Sequence, residues 1–455
     1  KSQNSLGMGS TPTPAATPDP AVTTCGAGQF CLSGSTFSPK GFNYATGHRF
    51  YWPAAAQQNR LEITNVTDGF IDLSRINSDL QKLSTDGFNV IRYMVSSLDE
   101  IKQGTTSYYQ VAGPSAVSPS THELGLYKPY MNNLIQFVDA AKNHGIRVIL
   151  ELDYLPNNSM YAVDYSNPKF AGLNANYFVQ ANVDKKALYV KNFLLYFKTH
   201  RPDLIPWIFA IELQNESYFD VKSAPLDLAS PFTIRPGVDG AFSTGTLTSY
   251  DTSVIAQRRQ LMSDVLVNFA NVVVAEGRKI VPNMLFSMSL VSYGLNGRTG
   301  DDGCAQPAQW LPNSCVGNGL ALMQRSQLSY IDYHLYPKAV YPGTATASNP
   351  NQYNIDVDIA TIQYDEIRQT NRPVLVGEFG TYYEGSNSTA QVDALNQAAA
   401  VNMKAHRDLM VAHGIAGWLY WTLDPIEANP ALTSGNWIYF GATEYSNRIY
   451  LNLKN

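Results

Sequence analysis

Charge is scarce in this chain. Of its 455 residues only 15% are Asp, Glu, Lys or Arg, and the balance is acidic, with a net charge of −5. A face that neutralises phosphates needs a basic excess, so nucleic acid is not an expected partner. Apolar runs are short, well below the roughly eighteen residues that cross a bilayer, so no transmembrane segment is expected. Histidine is sparse: the seven (His48, His122, His144, His200, His334, His406, His413) form no H-x-H or H-E-x-x-H spacing, so no metal site is expected. No Gly-rich phosphate loop follows a strand-like segment, which argues against nucleotides, and no cofactor is predicted. Cysteine is limited to four residues in two near pairs. Three connectivities are open, and the short spacings favour Cys25–Cys31 and Cys304–Cys315.

Residues 10–23, STPTPAATPDPAVT, lack large side chains and are rich in Pro, Thr and Ala. They read as an extended, solvated tether of the kind that follows an export signal or lipid anchor. With the paired cysteines this implies an oxidising compartment, and the chain is expected to be secreted, periplasmic or tethered to a cell surface.

What is abundant is apolar and aromatic. Apolar residues reach 44%, and aromatics 12%, led by 28 Tyr. The rings can be core, or they can line a cleft where flat faces meet sugar C–H bonds and hydroxyls bond sugar oxygens. Eight β-rich segments follow one another: 40–45, 89–95, 147–153, 208–216, 283–291, 330–337, 373–380 and 417–423. Helical patterns lie between them, such as 73–87 and 130–145, both ending near Gly. This alternation predicts an α/β fold, a (β/α)8 TIM barrel. The segments 96–126, 154–182, 217–251 and 292–315 are long, rich in Gly, Pro, Ser and Asn, and each follows a strand. They therefore crowd the C-terminal mouth of the barrel, where sites of this fold sit. The segment 47–60 after the first strand is aromatic and either walls a subsite or caps the barrel. Residues 424–455 give no clear closing helix. The domain reading is a flexible tether over 1–24 and one catalytic barrel over 25–455, expected to be a monomer.

Two strands end in carboxylates. LQNE closes the fourth at Glu216, and VGEFG carries Glu378 in the seventh. Strict alternation puts Glu212, Gln214 and Glu216 on one face, and Val374, Val376 and Glu378 on another, so that both sets point inward. A charge facing an apolar barrel is costly unless paired or used. Carboxyl groups about 5 Å apart suit retaining glycoside hydrolysis, one attacking the anomeric carbon and the other protonating the leaving oxygen. Glu212 reads differently, as half of a buried ion pair for which Arg92 is a candidate partner.

In order along the chain, Arg92, the NE pair at 215–216, His334 and Tyr336 in YHLYP, GEFG and Trp421 resemble clan A of the glycoside hydrolases, specifically family five, which includes cellulases and β-mannanases. The resemblance covers roughly residues 40–423. It implies Glu216 as general acid/base and Glu378 as nucleophile. It further implies that Asn215 bonds the sugar 2-hydroxyl, that Arg92 keeps the nucleophile ionised and that Tyr336 bonds it. His334 would line the subsite of the reacting sugar, and Trp421 would form its floor. Many members end the third strand in His, whereas here the segment reads ELDY, with Asp153 and Tyr154 in that place. The expected activity is thus that of a retaining β-glycosidase acting on β-linked glycans. The alternative is a barrel that binds glycans without cleaving them.

Overall fold

A computed structural model describes residues 19–44, 68–69, 71–95, 100–103, 106–227, 231–291, 294–295, 299–305, 313–335, 369–380, 382–384, 389–423, 437–439 and 448–454. The first three strands, β1 (Val22–Thr24), β2 (Phe30–Leu32) and β3 (Ser35–Phe37), form a small antiparallel sheet stapled by the Cys25–Cys31 disulfide. Eight strands then build one parallel sheet: β4 (Lys40–Asn43), β5 (Val90–Met94), β6 (Arg147–Glu151), β7 (Ile208–Glu212), β8 (Phe286–Ser287), β9 (Ile331–Leu335), β10 (Val374–Phe379) and β11 (Gly417–Tyr420). Each lies inside the segment expected to be a strand. Their order is β8-β7-β6-β5-β4-β11-β10-β9, and the Ser329 N–H donates to the Phe286 carbonyl at 2.7 Å, closing the ring between β8 and β9. The fold is a (β/α)8 barrel.

Crossover helices cover the strands: α1 (Leu73–Thr85), α2 (Lys128–Asn143), α3 (Gln180–His200), α4 (Ile255–Ile280), α5 (Gly319–Arg325) and α6 (Thr389–Ala412). In α2 the residues Tyr130, Met131, Leu134, Phe137, Val138 and Ala141 are buried, a one-sided stripe that packs on the sheet. Helix α1 stops because Gly87 takes φ +80°, which lets the Phe88 N–H reach back to the Leu83 carbonyl at 3.0 Å. A last helix, α7 (Arg448–Lys454), packs on α6. The irregular sequence over 424–455 gave no sign of it. It is anchored by tertiary contacts, with Tyr450 stacked on Phe42 at 5.5 Å and its hydroxyl donating to Asp86 Oδ2 at 2.7 Å.

The barrel interior has two unlike halves. Near the strand starts, Val90, Ile149, Phe209, Leu285, Tyr330, Leu375 and Leu419 form an apolar cluster. The N-terminal sheet closes that end, with Phe30 edge-on to Phe209 at 5.1 Å and to Tyr330 at 5.3 Å. This shifts one expected boundary. Part of the stretch predicted as tether packs on the barrel: Val22 is buried in the same cluster, Trp207 Nε1 donates to Asp19 Oδ2 at 2.9 Å, and Arg147 Nη2 donates to the Pro20 carbonyl at 3.0 Å. Near the strand ends the interior is polar instead, holding Asn43, Arg92, Glu151, Glu212, Ser287, Asp332 and Glu378. At that mouth, Phe219–Asp220 of the loop after β7 pairs with Ser314–Cys315 of the loop after β8, which the Cys304–Cys315 disulfide secures. The segment 47–60 lies outside the described residues.

Candidate active site

Arg92 organises the polar half. Projecting from β5 and fully buried, it uses every guanidinium N–H. Nε and Nη2 hold Glu212 at 2.5 and 2.9 Å, Nη2 also reaches Asn215 Oδ1 at 2.8 Å, and Nη1 reaches Asn43 Oδ1 at 2.9 Å and Glu378 Oε1 at 2.7 Å. Arg92 therefore serves both readings at once: it is the buried partner of Glu212 and it touches Glu378. A planar fork with fixed donors suits this shared task better than a flexible ammonium.

Neither key carboxylate is placed by simple alternation, and here the sequence reading needs correction. On β10, Val374, Val376 and Phe379 join the apolar layer between strands and helices, while Leu375 points into the barrel. Pairing with β9 slips at Gly377, so that His334 opposes Glu378 rather than Gly377. The bulge turns Glu378 inward, where strict alternation would have pointed it out. On the other side, β7 ends at Glu212, and Glu216 lies beyond it with φ +41°. It is not the outer member of an alternating row. The Glu216 N–H donates to Ser289 Oγ at 2.8 Å, and Ser289 Oγ donates to Glu212 Oε1 at 3.0 Å.

These two departures bring the carboxylates together. His334 Nδ1 lies 3.1 Å from Glu216 Oε1 and 3.4 Å from Glu378 Oε2, and the ligand atoms of all three residues fall within 4.8 Å of one another. Burial favours a neutral His334, but the Glu378 charge and the hydrogen bond to Glu216 outweigh it and push the imidazole up to about 9. Glu378 thus has a cation at each oxygen and a side chain only 6% exposed, while that of Glu216 is 26% exposed toward the mouth. Beneath them Asp332 accepts from Ser287 Oγ at 3.1 Å and stands 4.0 Å from His334 Nε2. Burial, with Glu212 adding to it, pushes its pKa up to about 7. Glu216, His334 and Glu378 are also close enough to hold a metal ion. With Arg92 and the imidazolium supplying positive charge there, the set suits proton transfer and nucleophilic attack by a carboxylate better than metal coordination.

The other expected site residues fall as follows. Asn215 sits between Arg92 and Glu216 in sequence and accepts from the former. Trp421 follows β11 half-buried, its backbone N–H donating to the Phe379 carbonyl at 2.8 Å beside the Glu378 bulge. Tyr336 lies outside the described residues. Asn43 is a member the sequence reading missed: its Nδ2 donates to the Gly377 carbonyl at 2.9 Å and so ties β4 to the bulge. Ser289 and Asp332 were missed as well. The available signal was polar residues at inward positions of apolar strands.

Comparison with known proteins agrees with this architecture. No protein-family model matches the chain. No curated protein matches it either. Among solved structures, an endo-1,4-β-D-mannanase from Thermotoga petrophila RKU-1 superposes with a TM-score of 0.52 at 13% identity, over 92% of this chain and 98% of that one. An endo-1,4-β-mannanase from Rhizomucor miehei gives 0.51 at 15% identity, over 95% and 98%. A glycoside hydrolase family 5 mannosidase, also from Rhizomucor miehei, gives 0.50 at 13% identity, over 96% and 97%. The chain spans about half, 55%, of the length of another match, an exo-β-1,4-mannosidase from Opitutaceae bacterium strain TAV5. At these identities the likeness is one of fold.

Proposed function

We propose that this barrel is a retaining β-glycosidase of the family-five kind, with Glu378 as nucleophile and Glu216 as general acid/base. The observation that carries the reading is the approach of two carboxyl groups, from the ends of the fourth and seventh barrel strands, to within 4.8 Å at the barrel mouth. That spacing leaves no room for a water between the second carboxylate and the anomeric carbon, so it favours double displacement over inversion. Arg92 and His334 hold Glu378 ionised for attack on the anomeric carbon. Glu216, the more exposed of the two, delivers its proton to the departing oxygen and afterwards takes one from water. Asn215, with its oxygen fixed by Arg92, keeps its amide N–H groups for the sugar. Trp421 lines the reacting-sugar subsite in this reading, and Tyr336 would bond Glu378.

The matched mannanases and mannosidase make β-mannosides the first substrates to test, with β-glucosides as the comparison. Two disulfides suit an oxidising compartment, and no helix among the described residues is long and apolar enough to cross a membrane. From the disulfides we infer a secreted, periplasmic or cell-surface-tethered enzyme.

A 2-deoxy-2-fluoro β-mannoside or β-glucoside with a dinitrophenyl leaving group should trap the glycosyl–enzyme. Peptide mapping is expected to place the label on Glu378. A label on Glu216 or Glu212 overturns the assignment.

A further inference from the structure

Asp153 follows the third barrel strand, and the chemistry above makes no use of it. Its Oδ1 accepts from Gln214 Nε2, and the Asn215 backbone N–H points at the same carboxylate. Gln214 and Asn215 are the two residues before Glu216. Behind Asp153 stands Lys186 of α3, 2% exposed, whose Nζ donates to the Leu152 and Asp153 carbonyls and whose charge faces the Asp153 carboxylate. Glu151 faces that ammonium too, but neither of its oxygens has a hydrogen-bond partner. A lysine is almost never buried without a counterion, and here it fixes both the backbone and the acid at the strand end.

The purpose of such a clamp follows from the Glu216 backbone. A glutamate at φ +41° occupies a region that side chains disfavour, and it stays there only if its surroundings impose it. From the β8 side Ser289 does this: its Oγ receives the Glu216 N–H at 2.8 Å, its carbonyl the Ser217 N–H at 2.9 Å, and its own N–H reaches the Gln214 carbonyl at 3.2 Å. From the β6 side the corresponding contacts are those of Asp153. A carboxylate accepts at both oxygens, so each can take its own N–H donor, whereas a neutral amide in its place offers one acceptor oxygen and turns a donating NH2 toward the second.

We propose that Asp153, secured by Lys186, is a positioning residue that holds the 214–216 turn so that Glu216 meets the leaving oxygen. The inference rests on the reading of Glu216 as general acid. Protonation matters in proportion to the basicity of the leaving group, so a displaced acid betrays itself by leaving-group selectivity. A merely structural defect would slow all substrates alike.

The test compares kcat/KM, which reports the first chemical step, for 2,4-dinitrophenyl and phenyl β-glycosides of mannose and glucose. In Asp153→Ala, turnover of the phenyl glycoside should fall roughly 10–100-fold while the dinitrophenyl glycoside stays within about threefold of wild type. Asp153→Asn, which keeps one acceptor, should fall between, and Lys186→Met should change in the same direction as Asp153→Ala. Glu216→Ala is measured beside them. If it shows no leaving-group dependence, the acid/base reading itself is wrong. If it does, but the Asp153 variants lose both substrates equally or neither, the positioning role is overturned. Should Asp153→Ala not fold, Asp153→Asn decides: a wild-type ratio of the two substrates contradicts the proposal.

Discussion

At the scale of single residues, His334 carries the most direct consequence for pH. Its pKa in the folded chain is pushed up to about 9, above the 6.5 of a free imidazole, because two carboxylates face it. A raised pKa means stability that is fully present below 6.5 and lost as pH rises through 9. Asp332 and Asp153, both pushed up to about 7 chiefly by burial, and Lys186, lowered by burial to about 8, add their own slopes. The clean observable is therefore a difference. Thermal midpoints of wild type and His334→Gln are expected to converge between about pH 6.5 and 9, with wild type the more stable at the acid end. A gap that widens with pH would mean that His334 is neutral in the folded chain. Residue chemistry was also what the sequence displayed best. Glu216 and Glu378 stand out as carboxylates at strand ends, the resemblance adds Asn215, Arg92 and His334, and the structure places all five in one cluster. Asn43 and Ser289 could not be chosen this way, because one Asn or Ser in a strand is commonplace until its partners are visible.

At the scale of elements, the lesson is the bulge. Alternation along β10 assigned Val374, Val376 and Glu378 to one face, yet the valines pack on helices and Glu378 points inward. A pattern of period two cannot register one extra residue, and Gly377 is that residue. It is a glycine because a Cβ there would lie 2.1 Å from Asp332 Oδ1. Gly377→Ala is therefore expected to cost about 1–3 kcal/mol of stability, as overpacking does. If the bulge rather than the packing is what matters for catalysis, activity of the folded fraction should drop on the order of 100-fold, the penalty of misplacing a group by about an ångström. Chemical denaturation and kcat on the same sample check both numbers, and full activity would show that Glu378 does not depend on the bulge. The α7 helix escaped notice for a related reason: seven residues held by Tyr450 and its partners leave little periodic signal.

At the scale of the whole molecule, apolar and polar ends of one barrel divide the labour. The strand-by-strand order was legible because eight β-rich segments with intervening helical patterns admit few closures. The plug was not, because Val22–Phe37 reads as a tail and a small disulfide loop until Phe30 is seen against Phe209 and Tyr330. Phe30→Ala removes a fully buried ring from that end, and a loss of about 3–5 kcal/mol is expected. The polar cluster lies at the opposite end, so activity per folded molecule should be unchanged. A parallel fall in specific activity would mean that the plug shapes the site.

The central claim, that Glu378 attacks and Glu216 protonates across one sugar, is tested most directly by the product that Glu216→Ala forms with azide. Without its acid the enzyme should still accept an activated dinitrophenyl β-glycoside, but the glycosyl–enzyme then waits for a base that is gone. Azide needs no base and is expected to restore turnover, releasing the β-glycosyl azide, because two inversions preserve configuration. An α-glycosyl azide would show that Glu216 was the nucleophile. No rescue in a folded Glu216→Ala would leave Glu216 a structural carboxylate and contradict the account.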